Sequence, residues 1–418
     1  MLCNRLCGLF VFSILLVSSS LAAPLGNSDI DFSTDYERIF QIRVVSPDAG
    51  GKSSIGSGFQ ATADGLIVTN YHVVSRYINA PDEFQIKYMT HSGELGQLEL
   101  VDFDIISDLA VLQHPEPSED YFRISNQSLE KGDIAYALGN PGDWGIVMVP
   151  GPTNGLVEHS YEKRILFSGS LNAGMSGGPS LNSDGDLIGV NVATAGSQLS
   201  FLVPSAKVSQ LLERARQLDA VSFQQEIARQ LKDWQRPRIQ ELIGMDWPQE
   251  DFLERPLFGE IRTDIQCWGG TNESNEERTI ARVSKTCEAG DYIYLAYNLD
   301  VGQIRFSFKD MKPVKLNASQ FARSIGGSMS ADNRSAYKYS TNYRCEKDFI
   351  EGPASDGGGY HRIVTCIRAY KKLPGLYDSL LLVHEHARSG IFQSHLSLSA
   401  LEPDQIQALN KRFVERSL

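Results

Sequence analysis

The sequence predicts a mainly β protein in two parts: a first half built as antiparallel barrels or a sandwich, and a mostly β second half stapled by disulfides. Three observations carry this. From Tyr36 to Pro204, short runs of branched and aromatic residues recur between glycine, proline, asparagine and aspartate, instead of alternating with long helical repeats. Outside the first 23 residues every cysteine lies beyond residue 260. At 418 residues the chain is long enough for two domains with cores of their own.

Taken in order, residues 1–23 carry Arg5, an apolar run from Leu9 to Val17 and the small residues Ser18 to Ala23, the pattern of a secretory signal peptide. The run is too short for an ordinary spanning helix, and no cysteine follows it to accept a lipid. A secreted or periplasmic mature chain without a membrane anchor is therefore expected, opening with an N-terminal segment at 24–36. The chain has 39 basic and 51 acidic residues; removing Arg5 leaves 38 against 51, a formal charge of −13 with no basic block. Nucleic acid is an unfavoured partner for such a surface.

Strands are expected at Phe40–Val45, Leu66–Thr69, Phe84–Tyr88, Leu109–Leu112, Ile134–Leu138, Ile165–Ser168, Leu187–Asn191 and Phe201–Val203. Between two of them lies Gly174-Met-Ser-Gly-Gly-Pro179, which sets one serine among glycines. A serine hydroxyl needs a base to take its proton and donors to hold the oxyanion that forms, and glycines let the backbone aim its amides there. Ser176 is read as that nucleophile, a glycine-rich turn being the alternative. His72 follows directly on an apolar strand, where a base would be held rigidly. Asp102 and Asp104 alternate with Val101, Phe103 and Ile105 and are expected to face water. Asp108 opens the apolar run Leu109–Leu112, so its carboxylate needs a hydrogen-bonding partner, and an imidazole N–H is one.

The order His72, Asp108, Ser176 is the chymotrypsin-type order of such a triad. Five stretches resemble the HtrA (Deg-type) branch of the trypsin-like serine peptidases: Gly56-Ser-Gly-Phe, Thr69-Asn-Tyr-His-Val-Val, Ser107-Asp-Leu-Ala-Val-Leu, Leu138-Gly-Asn-Pro-Gly and Gly174-Met-Ser-Gly-Gly-Pro. They cover roughly residues 37–205. The resemblance implies a chymotrypsin-like double β-barrel with a cleft between the barrels, His72 as base then acid, Asp108 as its orienter, Ser176 as nucleophile, and the amides of Gly174 and Ser176 as oxyanion hole. It also implies that Ser170, six residues before the nucleophile, and Leu171 beside it shape the primary pocket. No acidic residue stands there, so cleavage after Val, Ala, Ile or Leu is expected in preference to Lys or Arg. Met175 departs from the branch, which has asparagine at this place. The following sequence does not resemble a PDZ domain, so regulation through peptide C-termini is not carried over.

After Pro204, Val208, Leu211, Leu212, Ala215 and Leu218 share one helical face. A second helix with Phe223, Ile227, Leu231 and Trp234 is expected to stop before Pro237. Residues 206–256 thus read as a helical linker, 257–400 as a β-rich domain of no recognised family, and 401–418 as a terminal helix with Ile406, Leu409 and Phe413 on one face. Cys267 and Cys287, and Cys345 and Cys366, are expected to pair, closing two local loops. Gly352–Gly359 reads as a hairpin tip. His384 and His386 share a strand face, but no third ligand stands in view, and neither metal nor cofactor is called for. The chain reads as an exported serine endopeptidase acting on proteins or peptides through an acyl-enzyme. A non-catalytic binding or scaffold protein on the same fold and an esterase using the same triad are the rivals. Oligomeric state is not legible.

Overall fold

The structure, a computed structural model, describes residues 35–48, 51–125, 127, 129–142, 144–196, 198–215, 222–253, 255–326, 338–351, 360–387 and 390–418. The expected signal peptide, nearly all of the 24–36 segment, Leu218 and the 352–359 loop lie outside the described residues.

Two six-stranded barrels form the first half. The first comprises β1 (Ile39–Ser46), β2 (Gly51–Gln60), β3 (Leu66–Thr69), β4 (Gln85–Met89), β5 (Leu95–Asp104) and β6 (Leu109–Gln113), with helix α1 (Tyr71–Asn79) following β3. It closes in the order β1-β2-β3-β6-β5-β4. The second comprises β7 (Ile134–Gly139), β8 (Val147–Leu156), β9 (Ile165–Phe167), β10 (Pro179–Leu181), β11 (Leu187–Gly196) and β12 (Leu199–Pro204), closed as β10-β11-β12-β9-β8-β7. Closure is favourable because each sheet buries a row of apolar side chains and leaves no open edge. In β1 the residues Ile42 and Val44 are fully buried while Arg43 between them is half-exposed.

Helix α2 (Ser205–Ala215) packs Val208, Leu211 and Leu212 against both barrels. It also corrects the expectation for Asp102, which is only 3% exposed. The pairing of β5 with β6 shifts register between Leu100 and Asp102, and this bulge turns Asp102 away from water. Arg214 of α2 meets it with two bonds, Nε to Oδ2 at 2.8 Å and Nη2 to Oδ1 at 3.0 Å. Asp104 remains half-exposed and caps the backbone N–H groups of Ile106 and Ser107.

The next helix, α3 (Phe223–Gly244), runs straight through Pro237 instead of ending before it. A proline inside a helix costs about 3 kcal/mol. Here that is offset by continued burial beyond it, with Ile239 and Leu242 almost fully enclosed. Its first half packs Ile227, Leu231 and Trp234 on the first barrel, and its second half packs on the C-terminal sheet. The strand β13 (Gln249–Phe252), paired with β14 (Arg255–Phe258), already lies inside the stretch read as helical linker.

The C-terminal half contains β15 (Ile265–Thr271), β16 (Ile280–Ala289), the hairpin β17 (Ile293–Ala296) with β18 (Leu299–Val301), β19 (Ile304–Pro313), α4 (Ala318–Gly326), β20 (Arg344–Glu351), β21 (Tyr360–Ala369), β22 (Tyr377–Ala387), β23 (Gly390–Leu401) and α5 (Pro403–Ser417). Seven strands form one antiparallel sheet ordered β15-β16-β19-β23-β22-β21-β20. Phe306, Phe308 and Phe392 on its inner face pack against Phe413 and Leu409 of α5. That helix opens with Pro403 and a reciprocal cap between Glu402 and Gln405. The disulfides Cys267–Cys287 and Cys345–Cys366 join directly opposed residues and tie each outermost strand to its neighbour. His384 is buried on β22, while the side chain of His386 lies outside the described residues. Among the described residues no group of three or more His, Cys, Asp and Glu is placed to hold a metal ion, and no helix is long and apolar enough to cross a membrane.

The two halves share a core. Ile293, Leu295 and Val301 of the β17–β18 hairpin belong to the same apolar cluster as Tyr71, Val74 and Ile78 of α1. Tyr71 and Asn79 both donate to the Leu295 carbonyl, at 2.9 and 3.1 Å.

Candidate active site

The site is built where the barrels meet. Strand β3 delivers Asn70 in extended conformation at the start of α1, so His72 sits in the first turn of a helix. Asp108 precedes β6 with a left-handed φ of 58°, a conformation that aspartate tolerates better than most residues. This turn aims its carboxylate back at α1. Oδ1 accepts from the His72 backbone N–H at 2.9 Å and Oδ2 meets His72 Nδ1 at 2.7 Å. The Asn70 side chain donates to the Asp108 carbonyl at 2.7 Å and completes the brace. A carboxylate only accepts, so Nδ1 carries the proton and Nε2 of the neutral ring keeps its lone pair.

Asp108 is 7% exposed, whereas 30% of the His72 side chain is open. Burial disfavours the imidazolium, and the positive charge of Arg164 does so too. The charge and hydrogen bond of Asp108 outweigh both, leaving the His72 pKa above its ordinary value of 6.5.

Ser176 stands on the second barrel in the turn between β9 and β10. The turn is held by Met175 N–H to the Asn172 carbonyl at 3.0 Å, Gly178 N–H to the Met175 carbonyl at 3.1 Å and Gly177 N–H to the Asn191 carbonyl at 2.9 Å. A further bond crosses the barrels, from the Ser57 N–H to the Ser176 carbonyl at 2.7 Å. Gly177 has a φ of +86°, and a Cβ there would overlap the Ser57 carbonyl and the Thr69 hydroxyl. Only glycine serves at that point.

The structure joins His72 to Asp108 and sets Ser176 on the facing barrel, but the Ser176 hydroxyl is turned aside. Its Oγ donates to the Val192 carbonyl at 2.7 Å, and among the described residues no hydrogen bond links it to His72. The N–H groups of Gly174 and Ser176 take part in no hydrogen bond among the described residues. Met175 is fully buried in the second-barrel core together with Leu171. Ser170 is exposed. Beside His72 and Asp108 opens a cavity of about 560 Å³ whose far wall is Asp291 to Tyr294, from the C-terminal half. Neither Ser170 nor Leu171 lines it.

Sequence reasoning assigned no role to Ser57, Arg164, Val192 or Tyr294. Ser57 Oγ donates to the Gly174 carbonyl at 2.7 Å and accepts from the Asn140 N–H at 2.8 Å, so it ties the nucleophile turn to the loop after β7. Its position inside Gly56-Ser-Gly-Phe was the available signal. For Tyr294, whose ring stands edge-on to His72 at 6.2 Å between centroids, the chain offered none.

Residues 56–190 match the family model of the trypsin-like peptidase domain. This segment of the chain is a trypsin-like peptidase domain. This peptidase domain is similar to human serine protease HTRA3, with 31% identity over 197 residues covering 44% of this chain and 40% of that protein. It is also similar to a probable periplasmic serine endoprotease DegP-like from Chlamydia pneumoniae, with 32% identity over 192 residues covering 43% of this chain and 38% of that protein. The chain thus spans about two-fifths of the length of these relatives. The serine endoprotease from Yersinia pestis, a solved structure, aligns over 44% of this chain and 64% of its own with 25% identity and a TM-score of 0.38. The β-rich C-terminal half lies outside the segment that the peptidase model matches.

Proposed function

We propose that this chain is an exported serine endopeptidase that hydrolyses proteins or peptides through an acyl-enzyme. The observation that carries the reading is the doubly bonded His72–Asp108 pair facing a serine turn whose Gly174 and Ser176 amides have no partner among the described residues. In this mechanism Ser176 Oγ leaves the Val192 carbonyl and turns toward His72 Nε2. His72 takes its proton as the oxygen attacks the scissile carbonyl, and Asp108 holds the ring and the imidazolium that forms. The two free amides receive the oxyanion. His72 then returns the proton to the leaving amine, and a water repeats the sequence on the acyl-enzyme. Ser170 and Leu171 are proposed to shape a primary pocket for small aliphatic side chains.

The proposed division is a signal peptide at 1–23, an N-terminal segment at 24–36, the peptidase domain at 37–205, a helical linker at 206–256, a disulfide-stapled β domain at 257–400 and a terminal helix at 401–418. The DegP-like relatives named as periplasmic support export.

One observation favours a second reading. The turned-aside Ser176 hydroxyl fits a chain that keeps the fold as a binding scaffold. Hydrolysis of an unfolded protein substrate, compared with an activated ester, separates the readings. A peptidase cleaves both, and Ser176→Ala and His72→Ala each abolish cleavage without their losses adding. Ester turnover alone supports an esterase, and turnover within tenfold of the unmodified chain in either variant contradicts the mechanism.

A further inference from the structure

The cavity beside His72 is a joint product of the two halves. The peptidase domain supplies Val157, Arg164 and Phe201, and the C-terminal half supplies Asp291 to Tyr294. This second wall is anchored. The Asp291 carboxylate accepts from Ser160 Oγ and from the Tyr161 N–H, both at 2.6 Å, and the next strand is bonded to α1 through Leu295. A volume of about 560 Å³ is in the range that accommodates several side chains of a peptide.

The lining sets two carboxylates, Asp108 and Asp291, against one guanidinium, so which of them can meet a ligand depends on how each is already partnered. Its two carboxylates are already engaged, Asp108 with His72 and Asp291 with Ser160 and Tyr161. The lining also holds Tyr292, Tyr294 and His159, whose Nδ1 lies 3.2 Å from the Thr263 carbonyl. Arg164 is the one lysine or arginine on the lining, and among the described residues its guanidinium takes part in no salt bridge or hydrogen bond. Half-buried on a lining shared with Val157, Val192 and Phe201, this guanidinium presents a fork matched to a carboxylate.

We infer that this cavity is a substrate subsite, walled jointly by the C-terminal half, in which Arg164 selects an acidic side chain a few residues from the bond to be cut. The inference rests on the peptidase reading for its place beside a scissile bond, and it adds a preference that the serine chemistry does not require. Val157 and Phe201 with Tyr292 then hold the aliphatic parts of the peptide, while the guanidinium pairs with its carboxylate. Tyr292 on the lining is 58% exposed and presents its ring to a bound chain.

The test reads binding apart from cleavage. Fluorescein-labelled octapeptides of Val, Ala and Gly, with one glutamate scanned through all positions and a glutamine series as control, are titrated into the Ser176→Ala chain by anisotropy. One or two adjacent positions should bind the glutamate peptide at least about tenfold more tightly than the glutamine peptide. Adding Arg164→Gln should bring that ratio to about one, and Arg164→Glu should transfer the preference to a lysine peptide, a gain that misfolding does not produce. Tyr292→Ala should weaken both members of a pair by a similar factor. Absence of discrimination at every position, or a ratio unchanged in Arg164→Gln, overturns the inference. Hydrolysis of the same peptides by the unmodified chain is scored separately. Cleavage without charge discrimination removes the subsite and leaves the peptidase, whereas discrimination without cleavage removes the peptidase and leaves the carboxylate site.

Discussion

Replacing Asp108 with asparagine probes the site with little geometric disturbance. Asparagine also tolerates the left-handed backbone at this position, where φ is 58°. One side-chain oxygen can still accept from the His72 N–H, as Oδ1 does at 2.9 Å. What then faces His72 Nδ1 is an amide N–H₂ instead of the Oδ2 that stands at 2.7 Å. Nδ1 must become an acceptor, the ring proton moves to Nε2, and the base has no lone pair toward Ser176. The corresponding change in the chymotrypsin-type triad costs about 10⁴ in kcat, roughly 5.5 kcal/mol of barrier. Loss of the carboxylate also removes what raises the His72 pKa, so the acid limb of kcat/KM, set above 6.5 in the unmodified chain, should move down in the variant. Stability carries the same sign. A raised histidine pKa stabilises the fold fully below the unfolded value of 6.5 and ceases to do so as pH rises through the folded value. The variant should therefore lose more Tm at pH 5.5 than at pH 8.5. Kinetics against pH and melting at the two pH values measure all three effects. Activity within tenfold of the unmodified chain, with an acid limb in the same place, would refute the assignment of Asp108.

Other perturbations follow from the packing. Arg214→Met leaves Asp102, 3% exposed, as a buried charge without its partner, and urea denaturation should show a loss of about 3–5 kcal/mol that adding Asp102→Asn partly restores. His395 is held at a pKa of about 4 by burial and by nearby Lys309 and Arg305, so it folds neutral. Its contribution is complete above 6.5 and declines as pH falls toward 4, and His395→Gln should flatten urea-denaturation stability across that window. Reducing the disulfides should speed amide exchange in Ile265–Thr271 and Arg344–Glu351, the two outer strands, before it affects the barrels, which contain no cysteine. Each bridge closes a loop of 20 or 21 residues, for which chain entropy gives about 3 kcal/mol.

Much of the fold was legible because it is written in short-range patterns. Runs such as Leu66–Val68 and Leu109–Leu112 are buried along their whole length in their strands, and their sequence is continuously apolar for that reason. The bridge between Cys267 and Cys287 was readable because a local hairpin brings near neighbours together. Long-range facts were not. Asp102 lies just past the bulge after Leu100, where alternation no longer predicts its face, and the guanidinium that rewards its burial comes from residue 214. Pro237 is a sound stop signal locally, but the tertiary burial of Ile239 and Leu242 outweighs it. At the site, His72, Asp108 and Ser176 could be named because each sits in a distinctive local setting. Two features required coordinates. One is the direction of the Ser176 hydroxyl. The other is the approach of Tyr294, more than two hundred residues along the chain from the histidine it faces.

The central claim is that Ser176 is a nucleophile activated by His72. A fluorophosphonate probe incubated with the folded chain, followed by peptide mapping by mass spectrometry, tests it most directly. The account predicts one adduct per chain on Ser176, slowed strongly by His72→Ala and absent in Ser176→Ala. A folded chain that takes no label, or that takes it on a different serine, contradicts the account.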